Sequence, residues 1–279
     1  MEKISSRQNP LIRRVAKLQE RKCRDTEKLF LINGLKLSAE AIMANLSLPY
    51  IFLRLDSAQK CIDWLRRETD DRAATYESAF IAVEDAVFDK ISTEKSPEGV
   101  ICVARYIDKC HKTAKIEGKI APMPDDRDRM LILEAIRDPG NLGTIIRSAS
   151  ALGVSRLVLS RDCADLYNPK TVRASMGTLF HQTIDIVEAP LSEYIRLIAR
   201  DRRVFATALD HTAKKLGSFP LVETDCFVIG NEGHGISADT LEACPQKVFI
   251  PMQEGTESLN AAIAATICMW ELARTQPSI

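Results

Sequence analysis

The segment DPGNLGTIIRSASALGV, residues 138–154, sets a single arginine, Arg147, among small neighbours. Gly143, Thr144, Ser148 and Ala151 leave room for a bulky ligand to reach the backbone beside it. A guanidinium is a planar fork of N–H donors that matches phosphate or carboxylate oxygens two at a time. The same residues also read as an ordinary capped helix with a surface arginine, and the segment by itself leaves both readings open. Two more glycine-bearing segments follow. FVIGNEGHGIS (227–237) spaces Gly230, Gly233 and Gly235 as G-x-x-G-x-G. That is not the dinucleotide order, and no Lys-Ser/Thr pair of a phosphate-binding P-loop follows it. IPMQEGTESLNAAIAATICMWELAR (250–274) runs from a strand end at Ile250-Pro251 through Gly255 to Glu257-Ser258-Leu259-Asn260, which open an alanine-rich helix. That helix is either core or a small-residue seam against a second subunit.

These segments need elements to hold them. Asp138-Pro139-Gly140 breaks a strand, and Asn141 suits the N-cap of a helix over 141–153. Leu142, Ile145, Ile146 and Ala149 recur at helical spacing as its buried face, with Thr144, Arg147, Ser148 and Ala151 opposite. Apolar runs at RMLILEAI, SRLVLS, TIDIV, RVFATAL, CFVIG and KVFI alternate with helical patterns at 141–153, 168–179, 191–201, 236–243 and 257–274. Such alternation predicts a parallel sheet covered on both faces, with ligands bound in the turns beyond the carboxyl ends of its strands. A smaller alternating unit spans 29–106, from LFLI to GVICVARY, and 107–128 lacks periodicity and reads as a linker. Residues 1–28 carry nine basic side chains (Lys3, Arg7, Arg13, Arg14, Lys17, Arg21, Lys22, Arg24, Lys28) against four acidic ones. Such a run is a solvated helix face or a phosphate-contacting arm.

The 279 residues are 46% hydrophobic and 27% charged with zero formal net charge, which is ordinary for a globular protein of about two domains. No window approaches the ~20 apolar residues of a membrane span. No secretory apolar stretch opens the chain, and Glu20, Asp25 and Glu27 interrupt any mitochondrial presequence. Cys23, Cys61, Cys102, Cys110, Cys163, Cys226, Cys244 and Cys268 form no C-x-x-C, which predicts reduced thiols without zinc or a disulfide framework. Asp210-His211 are adjacent loop residues and Cys163 lies far from His181, so neither pair reads as a catalytic dyad; no metal-ligand spacing is present.

Taken in order, the three segments resemble the motifs of the SpoU-type (TrmH-like) RNA 2′-O-ribose methyltransferases of the SPOUT superfamily. NPKTVRASMGTLFH (168–181) is similar to a stretch typical of that family, and SRQNPLIRRVAKLQERKCRDTEKLFLINGLKLSAEAI to its N-terminal substrate-binding domain. The resemblance covers nearly the whole chain outside 107–128. Two positions depart from it. Asn33 stands where the family usually has Glu, and Ala261-Ala262-Ile263 where it has Val-Ser-Val; the second removes a hydroxyl but leaves Ser258 and Asn260.

The resemblance implies an α/β protein in four parts. These are a basic arm (1–28), a smaller L30e-like RNA substrate-binding domain (29–106), a linker (107–128) and a parallel-sheet SPOUT domain with a deep trefoil knot (129–279). It implies S-adenosylmethionine lined by Gly230, Ile250 and Leu259, and Asn141, Arg147, Glu232, Ser258 and Asn260 at the reacting centre. It further implies a homodimer that completes the site, a cytoplasmic location, no membrane or metal, and structured RNA as substrate, ribosomal before transfer RNA. A non-catalytic RNA-binding factor and a base methyltransferase of the same superfamily are the alternatives. Methyl transfer from a sulfonium needs mainly positioning and electrostatics, because the donor is already activated. A guanidinium lacks an acceptor, so Arg147 reads as a phosphate clamp that steadies a developing alkoxide rather than as a base. Asn141 and Asn260 would hold the arginine and the ribose; Glu232 would join that array or cap the next turn. With only 6% aromatic residues, recognition by phosphate contacts, shape and a splayed-out nucleotide fits better than extensive stacking.

Overall fold

The computed structural model describes residues 1–94, 96–107, 111–114 (backbone only), 125, 128–253, 255 and 258–275. They form two compact units, one made of residues 1–107 with 165–181, the other of 108–164 with 182–279.

In the first unit the order is β1 (Glu2–Ile4), α1 (Pro10–Ala16), α2 (Arg21–Glu27), β2 (Leu29–Asn33), α3 (Leu35–Met43), β3 (Tyr50–Arg54), α4 (Ala58–Glu68), β4 (Phe80–Val83), α5 (Asp85–Ile91) and β5 (Val100–Arg105). The sheet runs β1-β4-β3-β5-β2, with β5 antiparallel to both neighbours and the other pairs parallel. Residues 1–28 are therefore part of this unit rather than a free arm. β1 pairs with β4, Asn9 caps α1 by accepting from the Leu11 N–H at 2.9 Å, and Ile4, Ile12, Val15 and Leu18 enter the core. Burying these side chains outweighs the freedom of a flexible basic segment. The charge is partly committed to partners within the unit as well. Arg14 pairs with Glu27, Arg21 with Asp25, and Lys28 lies over the Tyr106 ring. Arg24 is only 2% exposed, bonded to Asp165 and, at 2.8 Å each, to the Leu18 and Gln19 carbonyls. Lys3, Arg7, Arg13, Lys17 and Lys22 remain exposed.

The segment 165–181 departs from the expected layout, which kept it with the rest of 129–279. Tyr167 stacks on Tyr106 with ring centroids 3.9 Å apart, and its hydroxyl accepts from the Ile107 N–H at 2.8 Å. The helix expected over 168–179 is α7 (Pro169–Ala174) and a short 3-10 turn (Thr178–Phe180). Between them Met176 (φ 50°) and Gly177 (φ 89°) turn left-handed, and a Cβ at Gly177 would lie 2.9 Å from the Glu40 Cβ.

The second unit holds β6 (His111–Ala114), β7 (Met130–Leu133), α6 (Pro139–Ala151), β8 (Arg156–Ser160), β9 (Thr183–Val187), α8 (Leu191–Ile198), β10 (Val204–Thr207), β11 (Lys214–Lys215), β12 (Cys226–Ile229), α9 (Ala238–Ala243), β13 (Gln246–Phe249) and α10 (Ala261–Ala273). The sheet is the parallel one expected, in the order β11-β13-β10-β12-β7-β8-β9-β6. Its central strands are buried on both faces, so they read as unbroken apolar runs. β6 falls in the stretch expected to be a linker. An edge strand is held by backbone bonds, here to β9, and needs no apolar alternation to announce it. Most of the rest of 107–128, with Cys110, lies outside the described residues. The other seven cysteines are free thiols. Burial pushes Cys163 up to about 11 and Cys102, Cys244 and Cys268 up to about 12.

Candidate active site

α6 begins earlier than expected. Asp138, not Asn141, is its N-cap, accepting from the Asn141 N–H at 2.9 Å, and Pro139 takes the first helical position. Leu142, Ile145, Ile146 and Ala149 are fully buried, as their spacing requires. Each large side chain among them contributes roughly 1.5–3 kcal/mol by leaving water. Asn141, relieved of capping, turns its carboxamide to distant parts of the chain. Its Nδ2 donates to the Glu232 carboxylate, and its Oδ1 accepts from Asn260 Nδ2 at 3.0 Å. One side chain thus joins all three glycine-bearing segments.

Asn260 has a second task. The last helix opens at Ala261 rather than at Glu257, and Asn260 caps it by accepting from the Ala262 and Ile263 N–H groups at 2.9 and 3.3 Å. Glu257 lies outside the described residues.

Glu232 sits in a loop braced from within. Asn231 and Gly235 exchange backbone hydrogen bonds of 3.0 and 2.9 Å, and Gly235 takes φ 68°. Gly230 does not use positive φ; its glycine is required because a Cβ there would lie 2.6 Å from the Ile236 nitrogen and closer still to the Gly235 carbonyl. That close approach is of loop on loop. Two residues outside the expected set hold the loop to the end of β7. Asn231 donates to the Ala135 carbonyl at 2.9 Å and accepts from the Gly233 N–H at 2.9 Å. Glu134 accepts from the Ser237 N–H, the Ser237 hydroxyl and the Thr240 hydroxyl at 2.9, 2.7 and 2.7 Å. An asparagine inside a glycine turn and a lone carboxylate ending an apolar strand were the available signals. Ala135, between these anchors, is held at φ 54°, a conformation that alanine adopts at a cost.

Beyond the carboxyl ends of β10, β12 and β13 lies a cleft of about 380 Å³. Gly230, Glu232, Ile250, Ser258 and Leu259 all line it, with Leu209 at 66% exposure among the others. The apolar walls, Ile229, Val248, Ile250 and Leu259, face the backbone of the 230–236 loop. Volume and lining are those of a small-molecule site. Glu232 belongs both to this cleft and to the Asn141–Asn260 junction. Arg147 stands apart. It is exposed on α6, about 9 Å along the helix axis from Asn141, and has no hydrogen-bond or ion-pair partner among the described residues. Among those residues no cluster of His, Cys, Asp and Glu could hold a metal, and no helix is long and apolar enough to cross a membrane.

Residues 128–270 match the SpoU rRNA Methylase family, and residues 9–102 the MRM3-like substrate binding domain. The chain is 32% identical to the 23S rRNA (guanosine(2553)-2′-O)-methyltransferase RlmP of Bacillus subtilis, over 98% of this chain and 99% of that one. A solved RNA 2′-O ribose methyltransferase is 28% identical, with TM-score 0.78 over 98% of both chains. The SpoU methyltransferase AviRb of Streptomyces viridochromogenes, solved in complex with AdoMet, is 25% identical, with TM-score 0.74 over 96% of this chain and 98% of that one.

Proposed function

The chain belongs to the SpoU rRNA methylase family, and from that premise we propose that it transfers a methyl group from S-adenosylmethionine to a ribose 2′-hydroxyl of ribosomal RNA. The observation that carries this reading is the three-way junction of Asn141, Glu232 and Asn260 at the edge of the cleft. The relatives named for ribosomal RNA favour that substrate over transfer RNA.

The cleft fits the cofactor. Its apolar walls suit an adenine, and the 230–236 loop offers backbone groups and a carboxylate. Gly230, Ile250 and Leu259 would hold the cofactor, which supplies an activated methyl when bound. Arg147, unengaged by the described residues and exposed, forks onto the phosphate beside the acceptor ribose and stabilises the oxygen while its proton passes to solvent water. Asn141 and Asn260 fix the ribose-facing edge, Glu232 holds Asn141 in place, and Ser258 borders the methyl site. The strand order, with β12 inserted between β10 and β7, supports the family's trefoil knot as part of this reading.

The enzyme is a homodimer in this proposal. α10 exposes Ile263 and Trp270 at 54% and 56%, and the groove between α6 and α10, lined by Asn141, Thr144, Asn260, Ile263, Thr266 and Ile267, runs beside the junction. A second copy covering that face would complete the site. The buried free thiols support a reducing compartment, the cytoplasm.

Labelled S-adenosylmethionine and ribosomal RNA from a strain lacking the gene test the activity directly. The label is expected in a 2′-O-methylated nucleoside. Arg147→Ala should lower kcat roughly 10²–10³-fold, with calorimetric cofactor affinity unchanged. Label in a base, or an alanine variant at full rate, would sink the assignment.

A further inference from the structure

The first unit contains a concavity of about 320 Å³ that the reaction does not use. Its lining is mostly polar, with Asn33, Thr93, Glu94 and Asn168 among it, and Leu31, Leu37, Pro169 and Val172 supply the smaller apolar part. Asn33 is 8% exposed, and its Nδ2 donates to the Thr93 hydroxyl at 3.0 Å. Its Oδ1 is buried and meets no hydrogen-bond donor among the described residues. Nearly all buried polar atoms in folded proteins are paired, because an unmet one lowers stability. A buried lone acceptor on a residue that lines a concavity calls for a donor brought by something else.

The chemistry of that acceptor narrows the guest. A carbonyl oxygen cannot satisfy a phosphate or a carboxylate, which bring only acceptors near neutral pH. It can satisfy the ring N–H or amino edge of a nucleobase, whose other polar edge atoms find partners in a mostly polar lining. Pro169 and Val172 come from the 165–181 segment, Leu31 and Asn33 from β2, and Leu37 from α3, so the slot exists only because that segment is built into this unit. Exposed Lys170 and Arg173 line it too, and Arg173 pairs with Glu94 at 3.3 Å. A strand entering the slot would meet cationic side chains for its phosphates.

We propose that this slot receives one unpaired nucleobase of the bound RNA, read at its N–H edge by Asn33. The inference rests on the RNA-methyltransferase reading and adds to it a base-binding subsite separate from the methyl-transfer cleft.

The test uses the full chain and fluorescent 12-nucleotide probes of oligo-A, oligo-C and oligo-U, each compared with an abasic oligomer of equal length at fixed salt. At least one base-bearing probe is expected to bind about tenfold tighter than the abasic one. Asn33→Leu removes the carboxamide at similar size, and Thr93→Trp fills the slot from an exposed position. Each should cut the preference below about twofold, leaving abasic binding and S-adenosylmethionine affinity unchanged. Asn33→Leu should melt no lower than the parent, since it deletes an unmet acceptor. Equal binding of abasic and base-bearing probes by the parent, or a preference surviving in both variants, overturns the proposal. So does a lower Tm for Asn33→Leu with the preference intact, which would make Asn33 a purely structural residue. These readouts need no catalysis, so failure of the methyl-transfer assay is a separate result.

Discussion

Asn141 is worth more to the site inside α6 than at its cap. Asp138 and Asn141 are both good capping residues, and Pro139 settles the contest by preferring the first helical position. The local sequence thus marked the right residue for a wrong local reason. Its partners Glu232 and Asn260, 91 and 119 residues away, were within reach only through resemblance to a family. Asp210 carries the pH prediction at this scale. It lies on the loop that brings Ala208 and Leu209 to the cleft, and accepts from Lys247 Nζ at 2.7 Å and the Thr212 hydroxyl at 2.6 Å. The lysine bond first, then those from Thr212, hold its carboxyl well below the usual carboxylate range. A depressed carboxylate stabilises the fold above its unfolded pKa of about 3.9, and that contribution fades as pH falls through the folded value. Lys247→Met should return Asp210 toward the ordinary range in a carboxyl-carbon NMR titration. The variant should then lose cofactor affinity at a higher pH than the parent as acid is added; coincident titrations would remove Lys247 from this role.

Among the elements, the 230–236 loop is the part least tolerant of change. Gly230→Ala has no free space, since the obstacle is backbone rather than a movable side chain. Overpacking of this kind costs about 1–3 kcal/mol, and here the loop must shift to relieve it. Calorimetry should show at least a tenfold loss of S-adenosylmethionine affinity in that variant, with the Tm falling by a few degrees. Unaltered binding would mean that the loop's own packing does not shape the cleft. Strands β7, β10 and β12 were legible because both faces are buried and their runs are almost wholly apolar, and β8, β9 and β13 because a shorter apolar stretch marks each of them. β6 was not, because an edge strand is defined by its backbone partner. α7 was overextended because the break at Met176-Gly177 depends on Glu40 of another element. The buried face of α6 was legible to the residue, since helical spacing alone decides it.

For the molecule as a whole, the proposed homodimer is the reading most open to test. Trp270→Asp puts a charge on the exposed α10 face, in its last turn. Sedimentation should show a parent dimer and a variant monomer, with methyl transfer lost alongside; a parent that sediments as a monomer removes the shared site. Zero net charge hid the basic N-terminal segment, and that segment in turn hid how much of its charge is committed to Glu27, Asp25 and Asp165. Removing residues 1–28 to probe RNA binding would therefore strip β1 and part of a core, so neutralising Lys3, Arg7, Arg13, Lys17 and Lys22 is the cleaner experiment. The detour of 165–181 has a further consequence. The backbone crosses between the two bodies after Ile107, after Ala164 and after His181, so no single scission yields both intact. A recombinant piece ending at Ile107 would lack the aromatic mate of Tyr106 and the counter-ion of Arg24. These bodies are interleaved, and swapping one between relatives means transplanting two stretches of gene at once.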